Sequence, residues 1–256
     1  MASMAAVVLP TNLVDSVRTD PVPGRREWLR TLQDIVAGLA ERWSLRLGQP
    51  YQPGGRCAWV APARDVAGRD LVLKVAWRHD EATHEADGLR AWAGQGAVRL
   101  YDSDVFGSAS ALLLERCHPG TTLSQVLPES EQDEVVAGLL QRLWSAPTDG
   151  YPFRPLQVMC DAWATEFDEK LTASVGLDPR LARVGMELFR SLPASAERQV
   201  LLCTDLHADN VLAAQREPWL AIDPKPYVGD PTYDALQHLL NCEERLVADP
   251  VGWPRG

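Results

Sequence analysis

The sequence predicts an α+β architecture of two lobes, a small antiparallel sheet with one or two helices over residues 1–116 and a mainly helical lobe over residues 117–256. Three features carry that expectation. Short apolar runs of strand-like texture, punctuated by Gly, Pro and Asp, dominate between residues 51 and 115. Beyond the HPGTT turn, apolar residues recur at helical spacing instead. Two short strand-like runs then bracket the most polar loop of the chain.

Taken in order, residues up to about 24 carry TDPVPG and read as an irregular lead-in. Trp28, Leu32, Ile35, Val36, Leu39 and Trp43 then mark one face of an amphipathic helix. YQPGGRCAWVAP and RDLVLKVAW read as a hairpin, with Gly54 and Gly55 in its first run; HDEATHEADGLRAWAG suits a helix, and AVRLYDSD and SALLLER suit strands. In the second lobe Val135, Val136, Leu139, Leu140, Leu143 and Trp144 form a helical stripe, and residues 157–174 and 178–191 read as helices. Asp178 can cap the free amides of the latter, and Pro179 fits its first turn. QVLLCTD and PWLAID are strands, and Asp230-Pro231 opens a last helix running to about Cys242.

Composition narrows the class. With 46% hydrophobic and 23% charged residues, disordered, collagen-like and coiled-coil chains are poor fits. The net charge of −10, from 25 basic and 35 acidic residues, repels phosphate backbones and anionic lipid and leaves small cationic ligands comfortable. Neither nucleic acid nor membrane is expected as a partner. Cys57, Cys117, Cys160, Cys203 and Cys242 are odd in number and widely spaced, as expected of reduced thiols in a cytoplasmic setting. The MASMAAVVLP start lacks a basic n-region, so no signal peptide is assigned, and no run reaches the roughly 18 apolar residues of a membrane span.

Two constellations carry chemistry. In its strand, Lys74 shares a face with Val72 and Ala76, while Glu85 shares a helical stripe with Leu89 and Trp92. A snorkelling surface lysine would satisfy the first observation alone. Together they place opposite charges on apolar faces, where each needs the other. The second constellation is CTDLHADNVL, with Asp205 and Asn210 five apart and Asp223 eighteen residues after Asp205. Carboxylate and amide oxygens are hard ligands suited to Mg²⁺, which Asn210 and Asp223 could supply, while Asp205 could accept a hydroxyl proton. Each residue alone also suits a turn or cap. A competing arrangement has Cys203, Asp205 and His207 alternating on an extended chain as zinc ligands, and Asp230 suits the cap before Pro231.

Lys74, Glu85, the D-x-x-x-x-N from Asp205 to Asn210, and Asp223 resemble the active-site set of the protein-kinase-like fold. DLHADNVL and IDPKPYVGDPTYD resemble the aminoglycoside phosphotransferases, and LVLKV, EADGLRAW, LLLER and HPGTTL resemble their streptomycin and hydroxyurea kinase branch. The resemblance spans residues 50 to 242. It implies a nucleotide-binding lobe over residues 1–116 and a catalytic and acceptor-binding lobe over 117–256. It further implies that Lys74, held by Glu85, contacts the α- and β-phosphates of ATP, that Asp205 is the base, and that Asn210 and Asp223 bind Mg²⁺. Glu115 to Cys117 would be the hinge facing adenine, and Gly54-Gly55 would lie in the phosphate loop, although no full G-x-G-x-x-G is present.

Two departures stand out: Cys203-Thr204 replaces the His-Gly that many relatives carry, and the chain stops at VADPVGWPRG, where relatives continue, so a shortened helical lobe is expected. The implied acceptor is cationic and streptomycin-like. Guanidinium groups pair with carboxylates, and Asp161, Glu166, Asp230, Glu243 and Glu244 are the candidate contacts; a solvated acidic helix face accounts for most of them equally well. The implied activity is ATP- and Mg²⁺-dependent phosphorylation of a cyclitol hydroxyl by a cytoplasmic monomer. The alternatives are a hydroxyurea or metabolite kinase of the same fold, or a nucleotide-binding inactive pseudokinase.

Overall fold

In the computed structural model, which describes residues 7–146, 149–171 and 178–248, strand alternation builds the first lobe. Five strands, β1 (Arg46–Leu47), β2 (Ala58–Arg64), β3 (Asp70–Trp77), β4 (Leu100–Phe106) and β5 (Ala109–Glu115), pair antiparallel in the order β1-β2-β3-β5-β4. Leu71, Leu73 and Val75 of β3 join Ala109, Ala111 and Leu113 of β5 on one face. Helix α2 (Pro23–Arg42) covers that face with Trp28, Leu32, Val36 and Leu39, all buried. The opposite face, with Leu112 and Leu114, packs with α3 (Glu85–Trp92) and the second lobe.

The expected irregular lead-in is instead partly helical, with α1 spanning Thr11–Thr19. Leu13 and Val17, one turn apart, are buried in the α2 core, and such tertiary burial holds a helix too short to persist alone.

The second lobe contains α4 (Leu123–Val126), α5 (Glu129–Leu143), α6 (Leu156–Leu171), α7 (Pro179–Ser191), α8 (Thr232–Leu240) and α9 (Glu243–Ala248). Its strands are β6 (Arg154–Pro155), β7 (Val200–Leu202), β8 (Val211–Ala213), β9 (Trp219–Ala221) and β10 (Tyr227–Gly229). β8 and β9 form a hairpin, while β10 lies between β6 and β7. The last expected helix divides at Asn241, whose amide closes on His238 O, and α9 follows the break. The predicted helix over residues 157–174 is α6; residues 172–174 lie outside the described residues.

The lobes are joined by more than the chain. Gly120 N donates to Ala213 O at 3.0 Å and Ala213 N to Thr121 O at 2.9 Å, laying the segment after β5 along the β8–β9 hairpin. Ala221 N donates to Gly96 O, and Val98 N to Ala221 O, on the hairpin's other side. Among the described residues, no helix is long and apolar enough to cross a membrane.

Candidate active site

Lys74 sits on the β3 face opposite Leu71, Leu73 and Val75, its side chain only 10% exposed. A buried ammonium without a partner is very costly, and this one has two. Its Nζ lies 2.7 and 2.8 Å from the two carboxylate oxygens of Glu85, at the start of α3, and 2.6 Å from Asp223 Oδ1 in the second lobe. Burial pulls the Lys74 ammonium toward neutrality, but Asp223 and Glu85 outweigh it and raise its pKa. Burial raises Glu85, against the opposing pull of Lys74. Burial also acts on Asp223, yet Lys74 and Lys225 hold its carboxyl below the ordinary range.

Close backbone approach brings these groups together. A Cβ on Gly88 of α3 would lie 2.3 Å from Pro226 Cγ, so only glycine lets α3 dock this tightly on the loop that carries Asp223. Asp223 itself adopts φ +53°, a conformation that redirects the chain after β9.

Asp205 follows β7 through Thr204, whose φ is +52°. Asp234, fully buried in α8, fixes this approach: its Oδ2 accepts from Cys203 N at 3.0 Å and Trp144 Nε1 at 2.9 Å, and its Oδ1 from Thr204 N at 2.7 Å. Burial pushes the Asp234 carboxyl up to about 6, although all three N–H donors favour the ionised form. Asn210 Nδ2 donates to Asp205 O at 2.9 Å, which closes the loop and turns the amide oxygen away from that bond. The carboxylate of Asp205 pairs with Lys225 Nζ. Asn210 O also accepts from Ile222 N, tying the loop to the residue before Asp223.

This geometry overturns the zinc alternative. The positive φ at Thr204 breaks the extended alternation that would align Cys203, Asp205 and His207, and the Cys203 thiol is buried, its pKa pushed well above the ordinary value by burial and by Asp234. Among the described residues, three metal-capable side chains converge at Asp133, His238 and Cys242 instead. There the Arg245 guanidinium donates to both oxygens of Asp133, at 2.7 and 2.8 Å, and to Cys242 Sγ at 2.8 Å. A cation already fills that cluster.

Asn210 and Asp223 fit a hard divalent cation. Both offer oxygen, and the Asp223 side chain is 46% exposed despite its bond to Lys74, so it is accessible to a ligand.

Glu115 and Cys117 border the segment between the lobes. The Glu115 side chain is held by Arg216 at 2.9 Å through Nε and Nη2, and the Cys117 thiol is buried, its pKa pushed up to about 12. Backbone groups of this segment, not these side chains, are therefore what it can offer a ligand. Gly54 adopts φ +76° and approaches Pro10, where a Cβ would sit 2.5 Å from Pro10 Cβ; its O accepts from Asn12 Nδ2. Its conformational freedom thus serves packing against α1, while Gly55 is exposed with open space around it.

Of the acidic residues singled out as acceptor contacts, Asp161, Glu166 and Asp230 have partners close by in the chain. Asp161 is exposed and accepts from Gln157 Nε2 at 2.9 Å, and Glu166 is exposed and pairs with Lys170. Asp230 Oδ1 accepts from Thr232 N and Oγ1, which bears out a capping role before α8. Glu243 and Glu244 open α9, but their side chains lie outside the described residues.

Three residues escape sequence reasoning: Gly88, Lys225 and Asp234. Lys225 stands between Pro224 and Pro226, and Asp234 closes the GDPTYD run, so position within a motif is the signal available for both.

Comparison with known proteins matches residues 42–253 to the family described as aminoglycoside/hydroxyurea antibiotic resistance kinase. A streptomycin 6-kinase from Streptomyces griseus is 34% identical over 248 residues, covering 97% of this chain and 80% of the relative. A hydroxyurea phosphotransferase from Kitasatospora aureofaciens is 38% identical over 254 residues, covering 97% of this chain and 72% of the relative. Among solved structures, an aminoglycoside-3'-phosphotransferase of type VIII superposes with a TM-score of 0.56 at 21% identity, covering 87% of this chain and 92% of the other. That likeness establishes the protein-kinase-like fold.

Proposed function

Because the chain belongs to the aminoglycoside/hydroxyurea antibiotic resistance kinase family, we propose that it is an ATP- and Mg²⁺-dependent phosphotransferase that modifies a cyclitol hydroxyl of a streptomycin-class acceptor. The observation that carries this reading is Lys74 Nζ, which meets Glu85 from its own lobe and Asp223 from the other at 2.6–2.8 Å. Such an arrangement presents a fixed ammonium beside an accessible carboxylate, as binding of metal-complexed phosphates requires.

In this reading residues 1–116 form the nucleotide-binding lobe and residues 117–256 the catalytic lobe. Lys74 binds the α- and β-phosphates and Glu85 fixes its direction. Backbone groups of Glu115 to Cys117 face adenine, and the Gly54-Gly55 loop borders the nucleotide. Asn210 and Asp223 hold Mg²⁺, which neutralises phosphate charge when bound. Asp205 accepts the acceptor hydroxyl proton as that oxygen bonds to the γ-phosphorus; the bond from phosphorus to the β–γ bridging oxygen breaks, and its electron pair leaves with ADP. The protein contributes chiefly position and electrostatic stabilisation.

A second reading keeps this chemistry with hydroxyurea as acceptor, and the 38% identity to a hydroxyurea phosphotransferase favours it. The test is transfer of labelled γ-phosphate from ATP by the purified chain to streptomycin, hydroxyurea and kanamycin, with and without Mg²⁺. Transfer to streptomycin alone supports the first reading and transfer to hydroxyurea alone the second. Nucleotide binding with no transfer would instead indicate an inactive kinase fold.

A further inference from the structure

The reading above gives no role to Lys225, the second ammonium of the cleft. Its backbone is fixed on both sides: Lys225 N donates to Cys203 O at 2.9 Å, and Thr204 Oγ1 donates to Lys225 O. Pro224 and Pro226 flank it, each with φ fixed by its ring, and Pro226 is wedged against Gly88 of α3. The side chain, 21% exposed, is thereby aimed at one atom, Asp205 Oδ2.

Charge explains why a cation belongs there. Lys74 is committed to Glu85 and Asp223, with bonds to both. The remaining anion of the cluster is Asp205, where the acceptor hydroxyl, the γ-phosphorus and the base must meet during transfer. Phosphoryl transfer spreads negative charge over the oxygens of the group in flight, and a cation positioned on those oxygens lowers the barrier. Lys225 is the ammonium at that end of the cleft, two residues beyond Asp223 and touching Asp205.

We propose that Lys225 is a catalytic residue of the transfer step, its ammonium binding the oxygens of the phosphoryl group as it passes from ATP to the acceptor. The inference rests on the phosphotransferase reading. As the acceptor oxygen bonds to phosphorus and the bond to the bridging oxygen breaks, the proton goes to Asp205 and the electron pair to ADP; Lys225 keeps its proton and supplies charge alone.

The test compares wild type with Lys225→Met and Lys225→Arg in turnover and in affinity for Mg·ADP and for Mg·ADP with aluminium fluoride, a mimic of the group in flight. Lys225→Met is expected to lower kcat about 10²–10³-fold and to weaken the aluminium fluoride complex similarly, with ADP affinity within about threefold and Lys225→Arg between the two. Turnover of Lys225→Met within about threefold of wild type overturns the proposal, as does an equal loss of ADP and aluminium fluoride affinity, which marks a structural role. Should Lys225→Met fail to fold, the same comparison runs on Lys225→Gln, which also removes the charge.

Failure of the broader reading has a different signature. A wild type that transfers to none of the acceptors, yet binds aluminium fluoride with ADP more tightly than ADP and loses that margin in Lys225→Met, defeats the acceptor assignment and upholds Lys225. A wild type that binds no ADP defeats both.

Discussion

The cleft and the outer helices use the same charged residue types in opposite ways. Around Lys74 and Asp205, charged atoms find partners far along the chain: Lys74 and Asp223 are 149 residues apart, and Asp234 gathers N–H groups 30, 31 and 90 residues away. On α6, Glu166 meets Lys170 and Asp161 meets Gln157, each four residues away on the same helix. Long-range pairs form only when distant stretches of the chain are folded together, so they fix a geometry. Local exposed pairs form in any helix and contribute about 0.3–0.5 kcal/mol each. The cluster around Lys74 and Asp205 is therefore built into the fold, whereas Glu166 and Asp161 on α6 rest on local partners.

Substitutions can break this contrast. The largest effect is expected for Asp205→Ala, which removes the proposed proton acceptor: turnover falls about 10³-fold or more while nucleotide still binds, by transfer assay and binding titration. Undiminished turnover would remove Asp205 from the mechanism. Lys74→Ala comes next, because it leaves Glu85 buried without its cation. Unfolding measurements should then show a loss of about 3–5 kcal/mol beside weakened Mg·ATP use.

Asp234 separates the two regions by pH. Its carboxyl is raised to about 6 in the folded chain, from 3.8, so the folded state holds this proton more tightly than the unfolded chain. Its contribution is fully present below pH 3.8 and declines as pH rises through 6. Denaturation of wild type and Asp234→Asn should therefore show the wild-type advantage shrinking by about 2–3 kcal/mol between pH 4 and 7. An advantage that grows with pH would mean that the three N–H donors outweigh burial.

This contrast also explains what the sequence discloses. Lys74 and Glu85 are legible because both interrupt apolar faces, and Asp205, Asn210 and Asp223 because their spacing falls between two short strands. The sheet, α2, α3 and α5 are legible from periodicity. The helix at Thr11–Thr19 is not, since only Leu13 and Val17 point inward and the α2 core supplies the rest. The β10 strand is three residues long, and its Gly229 is there to let Leu156 approach, so it leaves no alternation to read. Gly88 and Lys225 owe their importance to Pro226, which packs on one and restricts the other; that meeting of α3 with a loop far downstream exists only in three dimensions.

The smallest effect is expected on α6, and it bears on acceptor recognition. Glu166→Gln and Asp161→Asn each remove an exposed charge with a single local partner, so stability should change by less than about 0.5 kcal/mol. If these carboxylates only solvate the helix, kcat/KM for streptomycin stays within about twofold. If either pairs with a guanidinium of the acceptor, the loss is about tenfold or more, since a hydrogen bond to a charged group contributes roughly 1.5–3 kcal/mol. Turnover of hydroxyurea, which carries no guanidinium, would then be untouched. A selective loss of streptomycin turnover would move α6 from the solvated surface into the acceptor site, and the contrast with the cleft would become one between a preformed nucleotide site and an acceptor site whose carboxylates change partners on binding.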